Sequence, residues 1–191
     1  MHQLLELAGV VGSPLTQLRA TGWSDARVSR LAREFELTPE QAGNAARIAQ
    51  TILEGEGAWA WDASVIDRSI NEASLVYQGQ NLRLDRLVRK RAADGRSAQW
   101  WVLDYKSAVT PQSQPQLIEQ LRQYLRAVEQ QLGHEGAVHA AFLTGDGRLV
   151  ELDDSGTPTA GSAAGSTGMA GRADNGASLK DESASGQGSL F

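Results

Sequence analysis

The stretch that decides the fold is Trp100-Trp101-Val102-Leu103-Asp104-Tyr105-Lys106-Ser107, an apolar run that ends in an acid and a lysine two residues apart. Such a run predicts a buried β-strand. Because side chains alternate between the two faces of a strand, Asp104 and Lys106 should share a face. A second acid, Asp85, stands in an earlier apolar run, residues 82–88. We therefore expect two neighbouring strands to bring two carboxylates and one ammonium group together.

Further short runs rich in Val, Leu and aromatic residues predict more strands of the same sheet. The predicted strands are residues 73–77, 82–88, 99–105 and 138–143. The segment Ala92-Ala93-Asp94-Gly95 favours a hairpin turn between the second and third strands. Between the third and fourth strands, residues 116–132 carry apolar side chains at helical spacing, and Gln120 and Tyr124 lie on one border of that stripe. This helix predicts a crossover to a parallel strand.

The first half of the chain reads as helical. Ser24 can cap a helix that runs to about residue 35. Thr38, followed by Pro39 and by Gln41, is typical of a capping box, and that helix should run to about residue 53. The expected fold is therefore α/β, with a mixed central sheet flanked by helices and a helical N-terminal part.

Residues 153–191 are mostly Gly, Ser, Ala and Thr and bury too little apolar surface to offset the entropy of ordering. We predict a domain over residues 1–152 and a disordered tail over residues 153–191. The last residues, Gly188-Ser189-Leu190-Phe191, are either a frayed terminus or a short docking peptide.

The composition excludes several classes of protein. Without cysteine there are no disulfides or thiolate metal sites. No apolar stretch is long enough to span a bilayer and no leader is evident, so a cytoplasmic protein is expected. The net charge of −5 argues against a protein that coats nucleic acid. Arginines and a lysine nevertheless cluster around Asp85, either as a solvated strand edge or as a contact for phosphates; they are Arg83, Arg86, Arg89, Lys90, Arg91 and Arg96.

Two acids on adjacent strands require a compensating charge. Carboxylates about 4 Å apart repel each other by about 4 kcal/mol at an effective dielectric constant near 20. A divalent cation removes that repulsion, and oxygen ligands favour Mg²⁺ or Mn²⁺. Lys106 would orient or deprotonate an attacking water and stabilise developing negative charge. This combination suits cleavage of a phosphodiester.

The order of five short motifs resembles the PD-(D/E)XK nuclease domain of AddA/RecB-type helicase-nucleases. The motifs are His2-Gln3-Leu4-Leu5-Glu6, Glu72, Leu82-Arg83-Leu84-Asp85-Arg86, Val102-Leu103-Asp104-Tyr105-Lys106-Ser107 and Gln120-Leu121-Arg122-Gln123-Tyr124. The strand motif and the following Gln-x-x-x-Tyr helix together are the most specific part. The resemblance covers residues 1–152 and implies a restriction-endonuclease-like core.

The resemblance also implies a ligand set. Asp85 and Asp104 match the metal-binding acids, and Lys106 matches the catalytic lysine. The backbone carbonyl of Tyr105 and the side chain of His2 are expected to complete part of the metal shell.

Other positions are implied to support the site or to contact DNA. Gln120 and Tyr124 match the supporting helix, and Glu72 matches an acid that precedes the Asp85 strand. Arg83 and Arg86 are expected to support the site or the DNA beside it.

The function implied is a magnesium-dependent exonuclease domain in double-strand-break repair and recombination. Its expected partners are DNA, a helicase module and the partner subunit of an AddAB/RecBCD-like complex. The chain contains no phosphate-binding loop, so we expect a C-terminal fragment without ATPase activity, in which the helix carrying His2 is poorly anchored. A non-catalytic DNA-binding or scaffolding remnant is the alternative, and an unrelated acid–base enzyme is a third possibility.

Overall fold

The computed structural model describes residues 1–9, 18, 21–92, 97–153 and 155–160. These residues form a six-stranded mixed sheet in which the strands lie in sequence order. The strands are β1 (Ile66–Tyr77), β2 (Gln80–Lys90), β3 (Gln99–Tyr105), β4 (Ala137–Leu143), β5 (Leu149–Leu152) and β6 (Pro158–Ala160). The helices are α1 (His2–Ala8), α2 (Asp25–Glu34), α3 (Pro39–Glu54) and α4 (Pro115–Leu132). The predicted α/β class, with a mixed sheet flanked by helices, is confirmed.

Two apolar clusters cover the sheet on opposite faces. In one cluster, helices α1, α2 and α3 pack against alternate residues of β3, among them Trp101, Leu103 and Tyr105. The other joins α4 to the intervening residues Trp100 and Val102. Every residue from Trp100 to Tyr105 is therefore buried, as expected of a central strand covered on both faces.

Strands β1 and β2 form a long antiparallel hairpin. Its two-residue turn, Gln78 and Gly79, has positive φ at both positions, which matches the twist of the flanking strands. Strand β1 begins at Ile66, seven residues before the predicted start. Residues 66–72 are mostly polar, so their sequence pattern does not predict a strand. Pairing with β2 holds them in the strand conformation.

The predicted crossover is confirmed, because β3 and β4 pair in parallel and α4 connects them. On α4, Leu121 and Val128 are fully buried against the sheet. The capping box of α3 is also confirmed, since the Thr38 hydroxyl accepts from the Gln41 backbone and the Gln41 side chain accepts from the Thr38 backbone. Ser24 precedes α2 as predicted, although its side chain makes no capping hydrogen bond.

Ordered structure continues past the predicted domain boundary at residue 152. Asp153 accepts hydrogen bonds from the backbone of Ser155 and Thr157, and this turn leads into β6. The predicted tail therefore begins too early, because a local side-chain turn and an edge strand follow β5. Residues 161–191 lie outside the described residues, as do residues 93–95 of the predicted β2–β3 turn. Strands β2 and β3, on either side of these residues, pair antiparallel.

Candidate metal centre

Asp85 and Asp104 face each other across β2 and β3. These strands are antiparallel, with Arg86 opposite Leu103, so the next pair along the same register is Asp85 and Asp104. The Asp85 carboxylate also accepts a hydrogen bond of 2.7 Å from the backbone N–H of Tyr105. The two acids predicted to meet are therefore brought together at the carboxyl end of β3.

Three groups surround the Asp85 carboxylate. Burial by itself would raise the pKa of Asp85, but the hydrogen bond and charge of His2, the N–H of Tyr105 and the charge of Lys106 outweigh it, so the pKa is lowered. The contact between His2 Nδ1 and Asp85 Oδ1 is 3.1 Å. Asp85 is thus held as a carboxylate.

The pKa of Asp104 is shifted in the opposite direction. Burial raises the pKa of Asp104 to about 6; Lys106 opposes this shift, and Asp85 adds to it. Lys106 Nζ lies 2.6 Å from Asp104 Oδ2. Asp104 Oδ2 is buried, and the Lys106 ammonium is the cation that lies against it. Lys106 compensates the charge of Asp104 only in part, so the pKa of Asp104 stays raised.

His2 reaches this pair from the first turn of α1, which is firmly anchored. Leu4 and Leu5 are fully buried. Trp61 Nε1 donates to the carbonyl of Leu5 at 3.2 Å, and Asn71 Nδ2 donates to the carbonyl of Glu6 at 3.1 Å. The expectation of a poorly anchored helix was wrong, because two side chains bind carbonyls in its last turns.

Arg86 lies beneath the site and not on its surface. Its side chain is only 1% exposed. The guanidinium donates to the carbonyl of Ala60 at 2.9 Å and to the Asn71 side chain, and it stacks 4.9 Å from the centre of the Trp61 ring. Arg86 was expected to support the site or the DNA beside it, and burial leaves it no surface for DNA: as the neighbour of Asp85 in a strand, it points to the opposite face. It supports the site from below.

Tyr105 connects that buried layer to His2. Its ring stacks on Trp61 and meets the His2 ring edge-on, with ring centres 5.9 and 5.7 Å apart. Burial raises the pKa of the Tyr105 phenol, although the charge of Arg86 opposes the shift. A neutral, rigid ring thus lies under the imidazole.

Glu72 and Arg83 form an ion pair with each other on the β1–β2 hairpin. Glu72 has a φ of +48°, and its register neighbours Asn71 and Ala73 pair with Arg86 and Leu84. Glu72 is therefore opposite Asp85 in the backbone, while its carboxylate is bound to Arg83. A left-handed residue in a strand is strained and often accompanies a functional site.

Gln120 and Tyr124 lie on the face of α4 that approaches the acids. Gln120 Nε2 donates to the Tyr124 hydroxyl at 3.0 Å. Burial raises the pKa of Tyr124, and the charges of Asp104 and Asp85 raise it further. Both residues are where the helical spacing predicted them to be.

The residues present fit a divalent cation in charge and in donor type. Asp85 and Asp104 supply carboxylates, Tyr105 a carbonyl and His2 an imidazole, which is a set that suits Mg²⁺ or Mn²⁺. Within the described ranges, however, no three His, Asp or Glu residues already stand close enough together to hold a metal ion. Lys106 takes the place of a cation at Asp104, so metal binding would require the ammonium group to give way.

Sequence reasoning missed the residues that anchor the site. Trp61, Asn71 and Gly9 lie in no motif and have no periodic pattern. A Cβ atom on Gly9 would stand 2.5 Å from Arg86 Nη1, so the close approach of α1 to the sheet requires glycine there. The one available signal was the alternation of side chains in β2, which places Arg86 away from Asp85.

No protein-family model matches this chain, and no curated protein matches it. Among solved structures, the chain is similar to the protein of the "Crystal structure of SSO0001", with 18% sequence identity over 78% of this chain and 74% of that chain. The TM-score is 0.25, so this similarity carries no argument about fold or function. In the part of the chain that the structure describes, no helix has the length and apolar character needed to cross a membrane.

Proposed function

We propose that this chain is a magnesium- or manganese-dependent DNA nuclease that hydrolyses phosphodiesters. The observation that carries the proposal is the pairing of Asp85 with Asp104 across two strands, with the Lys106 ammonium 2.6 Å from Asp104. Two carboxylates and a lysine at one strand end can hold a cation and act on a water molecule beside it.

Each side chain has a distinct part in this proposal. Asp85 and Asp104 hold the cation, with His2 and the Tyr105 carbonyl as further ligands. The bound cation would polarise the scissile phosphate and lower the pKa of the attacking water. As an ammonium group, Lys106 orients that water and stabilises negative charge on the phosphate.

The cellular role rests on the resemblance of the motif order to AddA/RecB-type nuclease domains. On that basis we propose exonuclease action in double-strand-break repair and recombination, in the cytoplasm. DNA, a helicase module and a partner subunit of an AddAB/RecBCD-like complex are the proposed partners.

Cleavage of linear DNA tests the proposal. The purified chain should degrade a linear single strand with Mg²⁺ and should stop when EDTA is added. Asp104→Ala and Lys106→Ala should each abolish cleavage, whereas Arg126→Gln, an exposed change on α4, should leave it intact. Cleavage that survives both site changes would refute the assignment.

A non-catalytic DNA-binding module is the second candidate, and the neutralised acids favour it. His2, Tyr105 and Lys106 already compensate Asp85 and Asp104 without a metal. Calorimetric titration with Mg²⁺ separates the two candidates. Heat of binding that disappears in Asp85→Asn supports the nuclease, and no binding to the unaltered chain supports the module.

A further inference from the structure

Lys106 is the counter-ion of a carboxylate that has almost no contact with solvent. The Asp104 side chain is 5% exposed, and the Lys106 ammonium lies 2.6 Å from its Oδ2 atom. The Lys106 side chain is itself 20% exposed, so it reaches from the buried acid towards the surface. A buried charge that loses its partner is strongly destabilising. As a carboxylate, Asp104 therefore needs a cation against it, and Lys106 is the cation that the structure places there.

A metal ion held by Asp85 and Asp104 would lie beside the same ammonium group. The charge of Lys106 acts on Asp85 as well as on Asp104, so one ammonium serves both acids. A divalent cation repels an ammonium twice as strongly as a monovalent cation does at the same distance. The metal ion and the ammonium therefore compete for Asp104.

The Lys106 side chain can leave Asp104 without a change in the strand. The backbone N–H of Lys106 donates to the carbonyl of Leu143 at 2.9 Å, which holds the main chain against β4. The ammonium, by contrast, is a point charge on a flexible four-carbon stem. It can turn towards solvent while Asp104 keeps its position in β3. The anion that the proposed nuclease brings to that side of the site is a DNA phosphate.

We propose that Lys106 exchanges partners, so that its ammonium leaves Asp104 for a DNA phosphate when a metal ion binds the two acids. The proposal rests on the proposed nuclease function and adds a regulatory property to the same site. Without DNA, the ammonium competes with the metal ion and keeps its affinity low. A phosphate gives the ammonium another anion, so DNA strengthens metal binding. By linkage, the metal ion strengthens DNA binding by the same factor.

Binding of Mn²⁺ to Lys106→Met tests the competition without measuring cleavage. Free Mn²⁺ is followed by its EPR spectrum at about pH 8, above the pKa of Asp104, which burial raises to about 6. Lys106→Met should bind Mn²⁺ about tenfold more tightly than the unaltered chain, because the competing charge is gone. Lys90→Met is the matched control. It also removes one lysine charge, but Lys90 lies over the Trp59 ring, 5.0 Å from its centre, so this variant should bind Mn²⁺ like the unaltered chain.

Two chemically modified DNA single strands test the part played by phosphate. A phosphorothioate strand keeps its negative charges and resists cleavage, whereas a methylphosphonate strand of the same sequence is uncharged. Binding of Mn²⁺ to each strand alone is measured and subtracted. The phosphorothioate strand should then raise the Mn²⁺ affinity of the unaltered chain by about tenfold. It should raise the affinity of Lys106→Met much less, and the methylphosphonate strand should change neither affinity.

The outcomes separate the exchange of partners from the nuclease assignment. If Lys106→Met binds Mn²⁺ no more tightly than the unaltered chain, the exchange is refuted and the metal centre stands. The same holds if the phosphorothioate strand raises both affinities equally. Should Lys106→Met not fold, Lys106→Gln, which keeps a hydrogen-bond donor for Asp104, takes its place in both experiments. An unaltered chain that binds no Mn²⁺, with or without DNA, refutes both proposals.

Discussion

Replacing Asp104 by asparagine tests the electrostatics of the metal centre while keeping its shape. Burial raises the pKa of the Asp104 carboxyl from its usual 3.8 to about 6, against the opposing effect of Lys106. Between these values the folded chain holds this proton more often than the unfolded chain does. The stability that this group contributes is therefore complete below the unfolded pKa and is lost as the pH rises through the folded pKa. The folded and unfolded pKa values differ by about two units, and each unit is worth about 1.4 kcal/mol. The full effect on the free energy of unfolding is therefore about 3 kcal/mol.

The assay is urea unfolding in EDTA between pH 4 and pH 7, followed by the fluorescence of the five tryptophans. Because pH 4 already lies just above the unfolded pKa, the Asp104→Asn variant should gain about 2 kcal/mol of unfolding free energy across this range relative to the unaltered chain. At pH 7, Mg²⁺ should stabilise the unaltered chain and not the variant, since only the former has both acids.

Asp146→Asn is the matched control for this experiment. Hydrogen bonding from Thr144 lowers the pKa of Asp146, so the stability that Asp146 contributes changes only below its usual 3.8. Between pH 4 and pH 7 the difference between this variant and the unaltered chain should stay flat. If the difference in unfolding free energy between Asp104→Asn and the unaltered chain is equally flat, or shrinks as the pH rises, the Asp104 carboxyl does not have a pKa raised by burial.

Substitutions in the layer beneath the site test how α1 is held. Arg86→Met should lower the free energy of unfolding by about 3 kcal/mol, because the carbonyl of Ala60 and the side chain of Asn71 lose a buried donor. The measurement is urea unfolding. A loss below about 1 kcal/mol would contradict the buried hydrogen-bond network of Arg86. Gly9→Ala should cost at least about 1 kcal/mol, since its Cβ would meet Arg86 at 2.5 Å and Asn71 at 2.9 Å. Gly43→Ala, on α3 with open space around it, should instead stabilise by up to about 1 kcal/mol, so equal effects in thermal unfolding would contradict the packing of α1.

The parts of the fold that sequence predicted well are those with their own periodicity. Strand β3 is a continuous apolar run with fixed ends, and the stripe of α4 has a helical repeat, so both were predicted within one residue. The start of β1 and the whole of β5 and β6 were missed, and β5 is only four residues long. Residues 66–72 and 158–160 have no apolar pattern of their own, and pairing with β2 and β5 orders them.

The candidate site divides in the same way. Asp85, Asp104 and Lys106 could be placed together because strand alternation and pairing act on neighbouring residues. The burial of Arg86 and the hydrogen bond from Asn71 to α1 depend on contacts between residues distant in the chain. Strand alternation places Arg86 away from Asp85, but within a run of arginines it gives no sign that Arg86 will be buried.

Paired measurements of metal binding and DNA cleavage on Lys106→Met and Asp85→Asn test the central claim most directly. Lys106→Met keeps both acids, so it should bind Mg²⁺ in calorimetry while its rate of cleavage of a linear single strand falls by about a hundredfold or more. Asp85→Asn should lose both binding and cleavage. If Lys106→Met cleaves DNA at nearly the unaltered rate, or Asp85→Asn binds Mg²⁺ as well as the unaltered chain, the assignment of this cluster as a metal-dependent nuclease centre is contradicted.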